Sequence, residues 1–268
     1  MASDAMNRKS VLVTGGAARL GAAVVETFAR AGWQVFCHYA RSQDLAEALA
    51  ARLRSEGLQV VPVHGDLSSD EGCQALIAAV GQHTSRLDAL VNNASAFEPD
   101  SADDFDAAAA GRQLQVNLMA PLSLSKWMAQ RLVPEGAPDP ACIVHILDQK
   151  VFNLNPDYFS YTVSKLALER AVSLQAQALA PAIRVCGVAP GLMYVSGPQS
   201  NDNFTWASQA NLLRRPVDPL DVARTCLFLA ATHGITGSTL SVDNGQHLVP
   251  LPRDIMFVVD DLLKGKTT

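Results

Sequence analysis

The chain lacks most of the features that mark specialised classes of protein. Its five cysteines, Cys37, Cys73, Cys142, Cys186 and Cys226, are odd in number, scattered, and form no C-x-x-C pair. That pattern excludes a disulfide framework and suits buried free thiols in a reducing compartment, with no metal site expected. No stretch approaches the ~18 apolar residues of a membrane span, and the opening MASDAMNRKS has no apolar core of the kind a secretory signal needs. A soluble, cytoplasmic protein is the expectation. Charge of one sign is not concentrated anywhere: 21 Lys plus Arg stand against 26 Asp plus Glu, a net charge of -5. Neither nucleic acid nor a membrane surface is therefore an expected partner. Repeats, low-complexity tracts and dividing linkers are absent, so residues 1–268 read as one domain, large enough to bury roughly three quarters of its unfolded surface.

What the chain does have is alternation. Short β-branched apolar runs predict strands at Ser10 to Thr14, Gln34 to Tyr39, Gln59 to His64, Ala89 to Asn93, Cys142 to Leu147, Arg184 to Val188 and Thr239 to Val242. Apolar residues at three- and four-residue intervals predict helices at Leu20 to Ala31, Asp44 to Glu56, Asp70 to Gln82, Phe105 to Leu132, Tyr158 to Leu179 and Asp218 to Ala231. Ser42 is a start signal for one helix, and Asp218 with Pro219 for another. Near-continuous apolar strand runs, such as VLVT and IVHIL, imply that both sheet faces are covered, the mark of an α/β fold with a mostly parallel sheet. From Gly191 to about Thr205 the periodicity breaks, and an unstructured lid or binding loop is expected there.

Chemistry gathers at the strand ends. After the first strand, Thr14-Gly15-Gly16-Ala17-Ala18-Arg19-Leu20-Gly21 opens a helix. A glycine turn in that place presents backbone N–H groups and a positive helix end to a pyrophosphate. Gly15 and Gly21 supply the tight turn and close packing, while Arg19 stands where a glycine is expected. The second strand ends His38-Tyr39-Ala40-Arg41-Ser42, where His38 and Tyr39, with Leu20 of the turn, are expected to contact the cofactor and no carboxylate for a ribose 2′-hydroxyl stands before Asp44. Arg41 and Ser42 instead suit the 2′-phosphate of NADPH, the alternative being that Arg41 is a solvated loop residue. Asp66 and Leu67 are candidates to hold the adenine, and Asn93 with Ala94 to line the nicotinamide side. Tyr161 and Lys165, four apart on one helix face, pair a phenol with a cation able to make it an acid near neutral pH.

With Asn117 in the preceding long helix and Pro190-Gly191 after the sixth strand, five motifs stand in order, and the chain from Ser10 to about Gly245 resembles a short-chain dehydrogenase/reductase. The resemblance implies a single doubly wound Rossmann domain with seven strands, Tyr161 as acid/base, Lys165 on the nicotinamide ribose, and Asn117 holding a relay water. Three departures stand out: Asp148 replaces the usual serine thirteen residues before the tyrosine, Arg19 the usual middle glycine, and Asn244 a glycine of the family's V-D-G-G strand end. An ionised carboxylate cannot donate to a ketone oxygen, but suits a substrate rich in N–H groups. Arg19, the His38 to Ser42 segment, Asn93-Ala94-Ser95-Ala96-Phe97, Asp148, Tyr161 and Lys165 together resemble the pteridine and dihydromonapterin (dihydrofolate) reductases. By that resemblance Phe97 stacks on a pterin, Ser95 and Arg19 contact pterin or phosphate, and Asp148 and Tyr161 manage protons. Phe97 as a core aromatic and Asp148 as a mere cap remain alternatives. So do a carbonyl or alcohol oxidoreductase of other specificity and a non-catalytic NADPH-binding regulatory protein. The apolar tail, residues 246–268, is expected at a subunit interface of a homotetramer, with Arg253 either near a neighbouring site or solvated.

Overall fold

The computed structural model describes residues 8–197 and 199–265. Residues 1–7, Pro198 of the expected lid and the last three residues of the tail lie outside the described residues. Seven strands, β1 Ser10–Val13, β2 Gln34–Tyr39, β3 Val60–His64, β4 Ala89–Asn92, β5 Ala141–Ile146, β6 Ile183–Pro190 and β7 Thr239–Val242, form one sheet in the order β3-β2-β1-β4-β5-β6-β7. All six pairings are parallel.

Period-2 alternation divides each strand between two cores. Val11, Val13, Val35, Cys37, Val144 and Cys186 face one side, packed by α1 (Arg19–Arg30), α2 (Gln43–Ser55) and α8 (Pro219–Ala231) through Val24, Phe28, Leu53, Val222 and Leu229. Leu12, Phe36, Leu90, Ile143 and Val185 face the other. There they meet α3 (Asp70–Gly81), α5 (Ala120–Arg131) and α6 (Phe159–Leu179) through Leu76, Ile77, Met128 and Leu168. Helices on both faces explain why the strands are apolar on both faces. Between β1 and β4 the winding direction reverses, and that switch point, at the carboxyl ends of the strands, is where such sheets open a binding crevice. All five cysteines are buried thiols. Among the described residues no helix is long and apolar enough to cross a membrane.

The structure corrects the sequence reading in three places. The helix expected from Phe105 to Leu132 is divided into α4 (Ala107–Leu114), a π segment (Gln115–Met119) and α5. Pro121 is the cause: it has no N–H for the carbonyl of Asn117 four residues back, and its ring crowds that carbonyl. The stretch from Gly191 to Thr205 is irregular only in its first half, because α7 (Asn201–Ala207) starts where Ser200 accepts from the Asn203 amide at 3.1 Å. The tail forms α9 (Ile255–Gly265), whose Ile255 and Val259 pack with Ala207 of α7 and whose Met256 packs with Tyr158 and Tyr161. Ile255, Met256 and Val259 are covered by their own chain, whereas Leu248 and Leu262 of the same tail stay exposed.

Candidate active site

One cleft of about 1300 Å³ runs along the carboxyl ends of the strands. It exceeds the ~300–1,000 Å³ of a single drug-sized ligand and has room for a dinucleotide beside a second small molecule. Its walls include Gly15, Arg19, Gly21, Arg41, Ser42, Asp66, Ser95, Phe97, Asp148, Tyr161, Lys165, Pro190 and Gly191. The structure thus brings nearly every residue singled out from the sequence into one place.

The glycine turn is built from beneath. Thr14 Oγ accepts from the amides of Asn93 and Ala94 at 2.9 and 3.0 Å. The Asn93 side-chain amide in turn donates to the carbonyls of Thr14 and Gly15 at 2.9 and 3.1 Å. Asn93 therefore ties β4 to the turn, its side-chain donors already engaged there. His38, read as a cofactor contact, is 2% exposed and lies under the same turn, its Nδ1 accepting from the Gly15 amide at 3.0 Å. Burial pushes its imidazole down to about 4, so it stays neutral and keeps that acceptor. A Cβ on Gly21 would lie 2.0 Å from the Gly15 carbonyl oxygen, so only glycine lets helix and turn approach this closely. Leu20, also read as a cofactor contact, lines the cleft while its side chain packs into the core beside Val24.

The residues fit an anionic dinucleotide. Helix α1 has Ala18 at its N-cap with no side-chain cap and no acid in its first turn, leaving its first amides free to meet phosphate. Arg41 and Ser42 are exposed at the cleft wall, and among the described residues no hydrogen bond or ion pair engages either side chain. Asp66 accepts from the amide and hydroxyl of Ser68 at 2.9 and 2.8 Å, which holds its carboxyl below the usual range. Leu67 is buried beside it.

Arg19 has a φ of 52°, the left-handed backbone that glycine adopts freely and other residues adopt at a cost of about 1–3 kcal/mol. Its guanidinium donates to the Val195 carbonyl at 2.9 Å and stacks on Tyr194 at 4.8 Å, crossing the cleft from the turn to the lid. Asn244 shows the same backbone, with a φ of 55°, and its amide donates to the carbonyls of Arg215 and Pro216 at 3.0 and 3.2 Å. Gly191 packs so tightly on the end of β7 that a Cβ would lie 2.7 Å from Gln246 Oε1 and 2.9 Å from Asp243 Cα.

At the other end of the cleft, the Tyr161 hydroxyl donates to Asp148 Oδ2 at 2.9 Å. Asp148 Oδ1 accepts from the Lys150 amide at 2.9 Å. Both groups are held above their ordinary proton affinities. For Asp148 the cause is burial, partly opposed by Lys150; for Tyr161 it is burial together with the Asp148 charge. Lys165 Nζ donates to the Ile146 carbonyl at 2.8 Å and lies 5.7 Å from the Tyr161 ring centroid. Burial brings its ammonium down to about 8. Proximity to Lys165 thus does not dominate the phenol: Tyr161 rests fully protonated, an acid by position.

Asn117 sits in the π segment with its side chain fully engaged. Its Oδ1 accepts from the Ala96 amide and Ser95 Oγ at 2.7 and 3.1 Å, and its Nδ2 donates to the Ala96 carbonyl and Ser164 Oγ at 2.8 and 3.0 Å. With both lone pairs and both N–H groups used, the side chain itself is fully satisfied by protein partners. It clamps the loop that carries Phe97. The Phe97 ring stacks on Tyr158 at 4.2 Å and meets Tyr161 edge-on at 4.7 Å. Sequence reasoning passed over Thr14, Tyr158, Ser164, Lys150 and Asp254. A signal existed for Tyr158, an aromatic three residues before Tyr161, whereas the others declare themselves only through contacts distant in sequence.

With this geometry in view, the relatives are informative. The family described as enoyl-(acyl carrier protein) reductase matches residues 15–247. The chain belongs to the short-chain dehydrogenase/reductase family. Within that family of oxidoreductases, it is 31% identical over 283 residues to pteridine reductase 1 of Leishmania tarentolae, covering 88% of this chain and 96% of that protein. It is 26% identical over 242 residues to dihydromonapterin reductase of Klebsiella pneumoniae, covering 90% and 97%. Among solved structures it is similar to FolM alternative dihydrofolate reductase 1 of Brucella canis, a complex with NADP: 38% identity, TM-score 0.85, 91% of this chain and 95% of that one. Set against the family pattern, both residues that replace glycine, Arg19 and Asn244, retain the left-handed backbone that glycine would adopt, and each anchors it with side-chain hydrogen bonds.

Proposed function

We propose that the chain is an NADPH-dependent reductase of a pterin-type ring, a dihydropterin, dihydromonapterin or dihydrofolate-like molecule. The observation that carries this reading is the Asp148–Tyr161 hydrogen bond of 2.9 Å beside Phe97. A carboxylate occupies the place from which a serine would donate to a ketone. The NADP complex of the Brucella relative supports the cofactor, as do the unengaged Arg41 and Ser42 and the absence of an acid at the end of β2.

Arg41 and Ser42 would hold the 2′-phosphate, the first turn of α1 with Gly15 and Arg19 the diphosphate, Asp66 and Leu67 the adenine, and Lys165 the nicotinamide ribose. Ala94, Ser95, Pro190 and Gly191 would wall the nicotinamide. When bound, the cofactor supplies a hydride to a ring carbon of a C=N bond. Phe97, fixed by Asn117 and Tyr158, presents an aromatic face on which a flat heterocycle stacks. Tyr161 Oη gives its proton to the adjacent ring nitrogen. That leaves a phenolate 2.9 Å from a carboxylate, and burial disfavours two adjacent anions. A proton from solvent therefore enters through Asp148, whose carboxyl is already held above its usual range, and passes to Tyr161. In this reading the single domain works as one member of a homotetramer.

The Asp148→Ser variant tests the assignment. Pterin reduction should fall by ~10²-fold or more, the scale of a positioned acid–base group, with weak ketone reduction gained. Unchanged pterin turnover in that variant would remove Asp148 from the mechanism, and a wild-type enzyme without pterin turnover would remove the pterin reading.

A further inference from the structure

The carboxyl-terminal segment returns across the substrate end of the cleft, where Asp254 and Ile255 join its lining. Two sets of charges pin it there. Arg253 forks onto Asp157 with contacts of 2.7 to 2.9 Å, so this arginine serves its own chain, and the Asp254 amide donates to Asp157 Oδ2 at 2.7 Å. Lys150 Nζ pairs with Asp254 Oδ2 at 3.1 Å, donates to the Asp157 carbonyl at 2.9 Å, and lies 5.1 Å over the Tyr158 ring.

Lys150 differs from an ordinary tail anchor in its burial, its side chain being 3% exposed against 22% for Asp254. A surface pair would suffice to hold a tail, and burying an ammonium is costly unless it is fully partnered. Lys150 also touches the catalytic side directly, since its amide fixes Asp148 Oδ1 while Asp148 Oδ2 accepts from Tyr161. One residue thus joins the tail to the proton-handling pair. Met256, the second residue beyond Asp254, packs with Tyr158 and Tyr161.

We propose that Lys150 and Asp254 are a positioning pair: they dock the chain's own carboxyl-terminal segment as a wall of the substrate site and hold Asp148 aligned on Tyr161. This rests on the reading of Asp148 and Tyr161 as the pair that moves protons. Asp148 is faced by Lys150 from its own turn, by Tyr161 and Lys165 from α6, and by Asp254 from the tail. The charges of the pair act on it in opposite senses. Lys150 draws its proton affinity down and Asp254 raises it, and Asp254 raises that of Tyr161 as well.

The test uses Lys150→Met, Asp254→Asn and the double variant in the full chain. Three readouts apply: the titration of the Asp148 carboxyl by carbon-13 NMR without substrate, amide hydrogen exchange over residues 255–263, and kcat/KM. Lys150→Met should move the Asp148 midpoint up, Asp254→Asn should move it down, and the double variant should fall between them. Exchange in the tail should rise at least ~10-fold in both single variants, and kcat/KM should fall about 10- to 100-fold, the cost of a misaligned site. Asp254→Asn is isosteric and its side chain is partly exposed, so it carries the test even if Lys150→Met does not fold. Midpoints that stay fixed or move the same way in both variants, or an unaltered tail, overturn the proposal. The first two readouts need no pterin, so their failure is distinct from a failure of the substrate assignment, which would show as a wild-type enzyme without pterin turnover.

Discussion

Asp148 and Tyr161, thirteen residues apart in the chain, share a hydrogen bond of 2.9 Å in which the phenol is the donor. That polarity matters, because it leaves the carboxylate as an acceptor and the phenol as the only proton within the pair. With Tyr161 6% exposed and Lys165 3% exposed, water has little access to either.

Replacing Tyr161 by Phe removes that proton and little volume. Turnover should drop by ~10²- to 10⁴-fold, while NADPH affinity, read by fluorescence titration, should change less than about threefold. Equal losses in affinity and turnover would assign Tyr161 to binding.

The alkaline limb of activity should belong to Lys165. Its ammonium titrates at about 8 in the unliganded enzyme, below the ordinary lysine value, because burial disfavours the charged form. The ammonium is present below that pH and lost above it, so kcat/KM should decline as pH rises through about 8. Lys165→Arg keeps the charge, and in that variant the decline should move at least one pH unit higher. A limb that stays in place would belong to another group.

Arg41→Ala should erase most of the preference for NADPH over NADH. A charge-assisted contact to phosphate contributes about 1.5–3 kcal/mol, or ~10- to 100-fold in affinity. Paired KM measurements for the two cofactors decide this, and an unaltered ratio would leave Arg41 as a solvated loop residue.

Much of this architecture was legible because local signals and long-range packing agree. Strand runs such as Val11–Val13 and Ile143–Ile146 are apolar on both faces, which only a sheet covered on both sides accommodates. Glycine turn, Asp148, Tyr161 and Lys165 all lie near strand ends that the parallel topology must bring together. What stayed hidden depends on contacts that no sequence window contains. The division of the helix around Asn117 comes from one missing N–H at Pro121. The role of His38 appears only when Gly15 settles over it, 23 residues away. The tail reads as an uncovered apolar stripe until α7, itself disguised by a polar NDNFT start, supplies its cover.

The account turns on one comparison: initial rates of NADPH oxidation by the wild-type enzyme, measured side by side on dihydropterins and on simple ketones and aldehydes at equal concentration. A kcat/KM for a dihydropterin at least ~100-fold above that for any ketone is the predicted result. Brisk reduction of ketones with no turnover of pterins would contradict it and make the chain a carbonyl reductase with an unusual carboxylate.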